Sequence, residues 1–197
     1  METEELKEII KAGENSKVDF KRQWYEKDDL NKEFIKDMLA LANGSVHTIE
    51  ETAYLIIGIT DDKREFFDFQ YSFKSLEKLK QQLLTQLNNY AQPEFLSLEI
   101  EWVELEEEQE VLVLSVLPHG RLISLSKDLQ LKRNSDKKGT TYYRVGEDIR
   151  VASVEVIEDF KKAFAKNENK GGIVINQTHS GSGDNIARDK IVYQKSE

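Results

Sequence analysis

Thr52-Ala53-Tyr54-Leu55-Ile56-Ile57-Gly58-Ile59-Thr60 decides the fold. It is a β-prone run with little polar alternation, the pattern of a strand covered on both faces. Asp61-Asp62-Lys63 follows as a turn, and Glu65–Phe69 is positioned to return as a partner strand. Upstream, Leu6, Ile9 and Ile10 mark a short amphipathic helix that Gly13 can end. Lys17–Lys21 alternates around Val18 and Phe20, so it reads as a strand whose opposite face carries Lys17, Asp19 and Lys21. Leu30, Phe34, Met38, Leu41 and Ala42 share one helical stripe, with Asp28 or Asp29 as its cap and Asn43-Gly44 at its end.

Downstream, Leu76, Leu79, Leu83, Leu87 and Tyr90 predict a helix capped by Ser72 or Ser75. Leu96, Leu98, Ile100 and Trp102 alternate cleanly and lead through the Glu-rich turn Leu105–Gln109 into Glu110–Leu117, a β-hairpin. Further strands are expected at Asp128–Lys132 and Thr140–Val145, with Asn134–Gly139 as the turn, and Ser153 caps a last helix carrying Val156, Ile157, Phe160 and Phe164. The order is that of an α+β domain over residues 1–165, a mixed or antiparallel sheet packed with helices. Residues 166–172 read as a linker, and 173–197 as a flexible β-prone tail, with Ile173–Gln177 and Lys190–Gln194 set around a Gly/Ser/Asp/Asn-rich bend.

The 197 residues are enough for one sizeable core. No apolar run approaches the ~20 residues of a membrane helix, and the N-terminus lacks the basic start and apolar stretch of a signal peptide. With no cysteine, disulfides, cysteine-ligated zinc and thiol catalysis are excluded. A cytoplasmic protein is expected. The net charge of −9 is uneven. Glu101–Glu110 holds six acids, whereas Arg121–Arg150 holds eight basic residues against four acidic ones, leaving room for a basic binding face.

There is no P-loop, no His-Glu-x-x-His and no Gly-x-Ser-x-Gly elbow, and His47, His119 and His179 stand isolated. The remaining chemistry lies around Glu14–Gln23. Asp19 and Lys21 share a strand face, Glu14 can fold over the start of that strand, and Asp61 and Asp62 end the apolar strand. If the two strands are neighbours, Glu14, Asp19 and one of those aspartates could converge. Three carboxylates repel one another, and Mg²⁺ or Mn²⁺ would relieve that repulsion while polarising a phosphodiester. Lys21 would then hold a phosphate oxygen. The same residues also fit an ordinary charged strand face and turn.

Four blocks carry a family resemblance. Glu14-x4-Asp19-Phe20-Lys21, Lys36-Asp37-Met38-Leu39-Ala40-Leu41-Ala42-Asn43, Tyr54-Leu55-Ile56-Ile57-Gly58-Ile59-Thr60-Asp61-Asp62 and Tyr142-Tyr143-Arg144-Val145-Gly146 resemble, in order, the Schlafen AlbA-type domain. The resemblance implies a nucleic-acid-binding α+β fold. In the family's nuclease branch it implies a three-acid centre that cuts RNA, notably transfer RNA, with a divalent metal. Glu14 and Asp19 match the first two acids, Asp61 or its neighbour Asp62 the third, Lys21 the adjoining lysine, and Arg144 the arginine of the last block. Two departures stand out: the second acid is Asp where Glu is usual, and the Gly-Gly before the central strand appears as Asn43-Gly44-Ser45, followed by an extra Val46–Glu51. The animal nuclease form faces two lobes across a groove, so one lobe implies a homodimer or higher homo-oligomer.

On this basis the expected catalytic residues are Glu14, Asp19, Lys21 and Asp61, and the expected metal ligands are Glu14, Asp19, Asp61 and Asp62. Arg22, Lys132, Arg133, Lys137, Lys138 and Arg144 are expected against nucleic acid, with Trp24, Tyr25, Tyr142 and Tyr143 available to stack on unpaired bases. The segment Asn176–Ile191 resembles short motifs on bacterial conflict and signalling proteins, implying homotypic β pairing with a defence-system partner. Three functions follow: a metal-dependent endoribonuclease acting in antiviral defence, a non-catalytic nucleic-acid-binding module, or an assembly adaptor working through the tail.

Overall fold

The computed structural model describes residues 1–26, 32–95, 97–131 and 135–170. In chain order the elements are α1 (Thr3–Ala12), β1 (Val18–Lys21), α2 (Glu33–Asn43), β2 (Ala53–Ile57), α3 (Leu76–Asn88), β3 (Ala91–Gln92), β4 (Glu99–Glu106), β5 (Gln109–Val116), β6 (Ser124–Leu125), β7 (Leu129–Gln130), β8 (Ser135–Asp136), β9 (Tyr142–Val145), β10 (Asp148–Val151) and α4 (Val154–Lys170). The fold is α+β, with a four-stranded sheet in the order β1-β2-β5-β4. β1 runs parallel to β2, and the other two pairings are antiparallel, so the sheet is mixed.

The apolar run forms β2, and Leu55, Ile56 and Ile57 are fully buried, because helices cover both faces of the sheet. On one face α1 sets Leu6 and Ile10 against Phe20, Ile56, Val111 and Val113. On the other, Leu55, Ile57, Leu112 and Leu114 meet α2 and the Leu79–Leu83–Leu87 stripe of α3. α2 touches β2 on one side and the β9–β10 hairpin on the other. It is therefore apolar nearly all round, and Phe34, Ile35, Met38, Leu39 and Leu41 are all fully buried.

Asn43 ends α2 and ties it to the following layers. Its Nδ2 donates to the carbonyls of Ile123 (2.8 Å) and Tyr142 (2.7 Å), while its Oδ1 accepts from the Ile123 amide at 2.8 Å. Gly44 follows at φ +59°, and a Cβ there would collide with the Lys17 side chain and with Thr48 Oγ1. Glycine at this point serves close packing as well as the turn.

Several expectations need correcting. Residues Glu65–Phe69 do not form a strand and contribute a single bridge, Ile59 to Phe66. β9 pairs with β10, which alternation did not reveal, rather than with the 128–132 segment. That segment contributes the short strand β7, which pairs with β8 inside the stretch expected as a turn. α4 continues through Lys170, into the stretch read as linker. The expected caps Asp28 and Asp29, and the whole 173–197 tail, lie outside the described residues. No helix among the described residues is long and apolar enough to cross a membrane.

Candidate nucleic-acid site

Asp19 and Lys21 of β1, in register with Leu55 and Ile57 of β2, face the α2 side of the sheet together with Lys17, which precedes β1 and accepts the Tyr54 amide on its carbonyl at 2.7 Å. Asp19 lies between two cations. Arg144 Nη1 donates to its Oδ1 at 2.8 Å, and Lys21 Nζ stands 2.5 Å from its Oδ2. Arg144 is fully buried and sends Nη2 to the Glu147 carbonyl at 2.8 Å. Lys21 Nζ also lies 3.6 Å from Oδ2 of Asp37, which accepts the Tyr25 hydroxyl at 2.6 Å. The result is a continuous chain, Arg144–Asp19–Lys21–Asp37–Tyr25, with two positive and two negative groups.

Glu14 folds over the start of β1, as its position suggests, and accepts the Phe20 amide on Oε1 at 2.5 Å. Burial raises its carboxyl above the usual range. The Phe20 bond opposes that shift, while Asp19 and Asp61 add to it and Lys21 subtracts. Asp61 is exposed on the turn after β2, yet partial burial also lifts its carboxyl, with Asp19, Asp62 and Glu147 adding to the shift against Lys21. Burial raises Asp37 as well, helped by Asp19 and opposed by Lys21. For Lys21, burial pulls downward, but Asp37, Asp19 and Glu14 together hold the ammonium above its ordinary value.

Glu14, Asp19 and Asp61 are therefore close enough to feel one another's charge. As a metal centre the donor set does not fit as it stands. Both Asp19 oxygens face protein cations, one Glu14 oxygen is taken by the backbone, and among the described residues no three His, Asp or Glu side chains could hold a metal ion together. Asp62 is exposed beside Asp61.

Arg144, expected against nucleic acid, is wholly buried, with its guanidinium on Asp19 and on the Glu147 carbonyl. Arg22 is exposed, its guanidinium 4.0 Å above the Phe67 ring. Lys137 and Lys138 are exposed on the β8 side, where Asp128 receives the Lys137 ammonium and the Lys138 amide, each at 2.9 Å. Lys132 and Arg133 lie outside the described residues. The expected stacking residues are mostly occupied. Tyr142 is buried with its hydroxyl on Asp136, Tyr143 packs edge-on to Phe160, Tyr25 is tied to Asp37, and Trp24 packs among Tyr25, Phe34 and Phe73.

Two buried ionisable residues beside this cluster were not among the expected site residues. Lys17 is buried, donating to the carbonyls of Leu41 (3.3 Å) and Ala42 (3.1 Å) at the end of α2, and burial lowers its pKa to about 8 despite Glu51. Asp37 carried a signal in its position: it is an acid followed by the apolar run Met38–Ala42 in a helix buried along most of its length.

A further basic feature lies beyond this cluster. Lys78, Gln81, Gln82, Thr85, Gln86 and Asn89 of α3 and its cap, with Tyr90 and Lys127, line a groove of about 590 Å³. No carboxylate lines it among the described residues. Lys127 Nζ stands 4.2 Å above the Tyr90 ring. One neighbour, Ser126, donates its amide to the Tyr90 carbonyl, and the other, Asp128, holds Lys137 and Lys138. Lys127 at the edge of the groove thus adjoins Asp128 in the chain, on which Lys137 and Lys138 converge.

The family model described as Schlafen, AlbA_2 matches residues 14–153, from Glu14 through the Arg144 hairpin to the start of α4. The chain belongs to the Schlafen AlbA_2 family. Membership gives this Schlafen AlbA_2 domain a nucleic-acid-related function. Among solved structures it is similar to the DIP2311 protein from Corynebacterium diphtheriae, at 16% identity and a TM-score of 0.46, over 75% of this chain and 24% of that one. This chain thus spans about a quarter of that protein's length. No curated protein matches it.

Proposed function

We propose that this Schlafen AlbA_2 domain binds nucleic acid, RNA in preference to DNA, through its basic face and without turnover. The observation that carries this reading is the carboxylate-free groove between α3 and Lys127, in a chain whose net charge is −9. Lysines there neutralise phosphates and release counterions, while the Gln and Asn amides can reach sugar or base edges. Affinity for transfer RNA, followed by fluorescence anisotropy, is expected to fall linearly with log salt. Lys78→Gln combined with Lys127→Gln should weaken binding and flatten that slope by about one to two ions. Salt-independent affinity that ignores both substitutions would defeat the reading.

A second reading is a metal-dependent endoribonuclease serving antiviral defence, with Mg²⁺ or Mn²⁺ on Glu14, Asp19 and Asp61 or Asp62. In its favour, Glu14 and Asp61 are both held above the usual carboxylate range beside Lys21, and perturbed acids cluster at functional sites. Asp19 already serves Arg144 and Lys21, so a metal on it would have to displace one of these cations. Total RNA incubated with each metal and with EDTA separates the two readings: metal-dependent cuts that Glu14→Gln abolishes while binding survives would replace the first with the second. A homodimer and recruitment of a defence-system partner through 173–197 accompany that second reading. Light scattering on the full chain and on a chain ending at Lys170 tests both the dimer and the adaptor function.

A further inference from the structure

After β2 the chain alternates aromatic and polar residues: Phe67, Asp68, Phe69, Gln70, Tyr71, Ser72, Phe73. This segment forms no strand, yet Phe69, Tyr71 and Phe73 all pack against Trp102. The Phe67 amide bonds to the Gly58 carbonyl at 2.7 Å, and a Cβ on Gly58 would press on the Phe69 ring at 3.3 Å, so the segment lies close over the end of β2. Phe69 is buried and stacks on Trp102 of β4 with centroids 5.8 Å apart. Tyr71 stacks on Phe73 at 4.7 Å and 23° and lies 4.9 Å from Trp102, yet it remains 53% exposed. Such exposure is unusual for a ring already seated in an aromatic ladder.

The ladder is continuous with the charged cluster. Phe73 meets Trp24 at 5.6 Å, Trp24 meets Tyr25, and Tyr25 holds Asp37 beside Lys21. Phe67, at the other end, carries the exposed Arg22 guanidinium. Half-exposed Tyr71, with the exposed Arg22 guanidinium on Phe67 of the same segment, suits a ligand that combines a π face with an anion, which is what a nucleotide is.

We propose that Tyr71 and Phe73, backed by Trp102 and with Arg22 held on Phe67 of the same segment, form a stacking platform for unpaired bases of single-stranded nucleic acid. This rests on the nucleic-acid-binding reading above and adds the substrate class to it. A duplex keeps its bases stacked on one another and offers no free ring face to Tyr71. A second copy of the chain is a poorer occupant, because one half-exposed tyrosine among partly covered rings falls well short of the ~800 Å² per partner of a stable interface.

The test uses the full chain with fluorescein-labelled dT20 and U20, and with the dT20·dA20 duplex, by anisotropy at fixed salt. Tyr71→Ala is expected to weaken both single strands at least about 5-fold, the lower end of what one lost stack costs. Tyr71→Phe should bind as wild type, and duplex affinity should be unchanged in both variants. Irradiation with a 5-iodouracil-substituted strand should crosslink in the 67–73 peptide. If Tyr71→Ala binds single strands as tightly as wild type while Lys78→Gln with Lys127→Gln weakens them, the platform is wrong and the binding reading survives. If wild type binds none of the probes, both fail together. A wild-type dimer that Tyr71→Ala converts to monomer would reassign the patch to self-contact and overturn the proposal.

Discussion

Arg144 Nη1 reaches Asp19 Oδ1 at 2.8 Å from a position with no solvent exposure. A buried guanidinium needs its carboxylate more than a half-shared carboxylate needs any one cation. Asp19→Leu leaves Arg144 without a carboxylate partner and is expected to cost about 3–5 kcal/mol. Arg144→Met should cost less, because Lys21 remains on Asp19. The double substitution should recover most of the loss, as buried pairs replaced by apolar groups often do. Urea unfolding of the three variants measures all of this, and a double mutant as unstable as Asp19→Leu would contradict it.

Glu14 gives a pH prediction. Its folded-state carboxyl is raised, chiefly by burial, so the native state binds its proton more tightly than the unfolded chain does. Ionised Glu14 therefore works against the fold above its folded pKa, and the penalty fades as pH falls through the carboxylate range. Glu14→Gln keeps an oxygen for the Phe20 amide and removes the charge. Thermal melts should show the variant more stable than wild type at pH 7.5, with the gap closing toward pH 4.

Lys17 behaves in the opposite sense. Burial lowers its pKa to about 8, so between that pH and the ordinary lysine range of about 10.4 the unfolded chain holds more protons than the native state. Stability from this group therefore rises with pH across that window, and below it the penalty is fully present. Lys17→Met removes the effect, at the cost of leaving the Leu41 and Ala42 carbonyls without their donor. Chemical denaturation at pH 7, 8.5 and 10 should show wild type gaining on Lys17→Met as pH climbs; a constant difference would mean that Lys17 does not titrate there.

Asn43 makes three buried hydrogen bonds to the backbone around Ile123 and Tyr142. Asn43→Ala strands those groups, and at roughly 1–3 kcal/mol for each orphan the loss should reach at least about 3 kcal/mol. Native-state hydrogen exchange should show the Ile123 amide losing protection first, since Asn43 Oδ1 is its acceptor.

Much of this molecule could be read from local pattern. The apolar run from Thr52 to Thr60 announced β2, the alternation from Leu96 to Trp102 with the Glu-rich turn after it announced the β4–β5 hairpin, and the spacing of Leu76, Leu79, Leu83 and Leu87 announced α3. The four ordered blocks identified the family before any coordinates. Period-two alternation even put Lys17, Asp19 and Lys21 on one face correctly, because side-chain direction along a strand is a local property.

What stands opposite that face is not local. Arg144 lies 125 residues from Asp19 and arrives only because the β9–β10 hairpin packs on α2. That meeting gives Asp19 a buried arginine as its partner. The sequence by itself determined the strands, the helices, the family and the acids' side of the sheet, since these follow from short-range periodicity. Only the tertiary structure decided which cation each acid answers and which aromatic ring remains open to solvent, because both depend on layers packed together from distant parts of the chain.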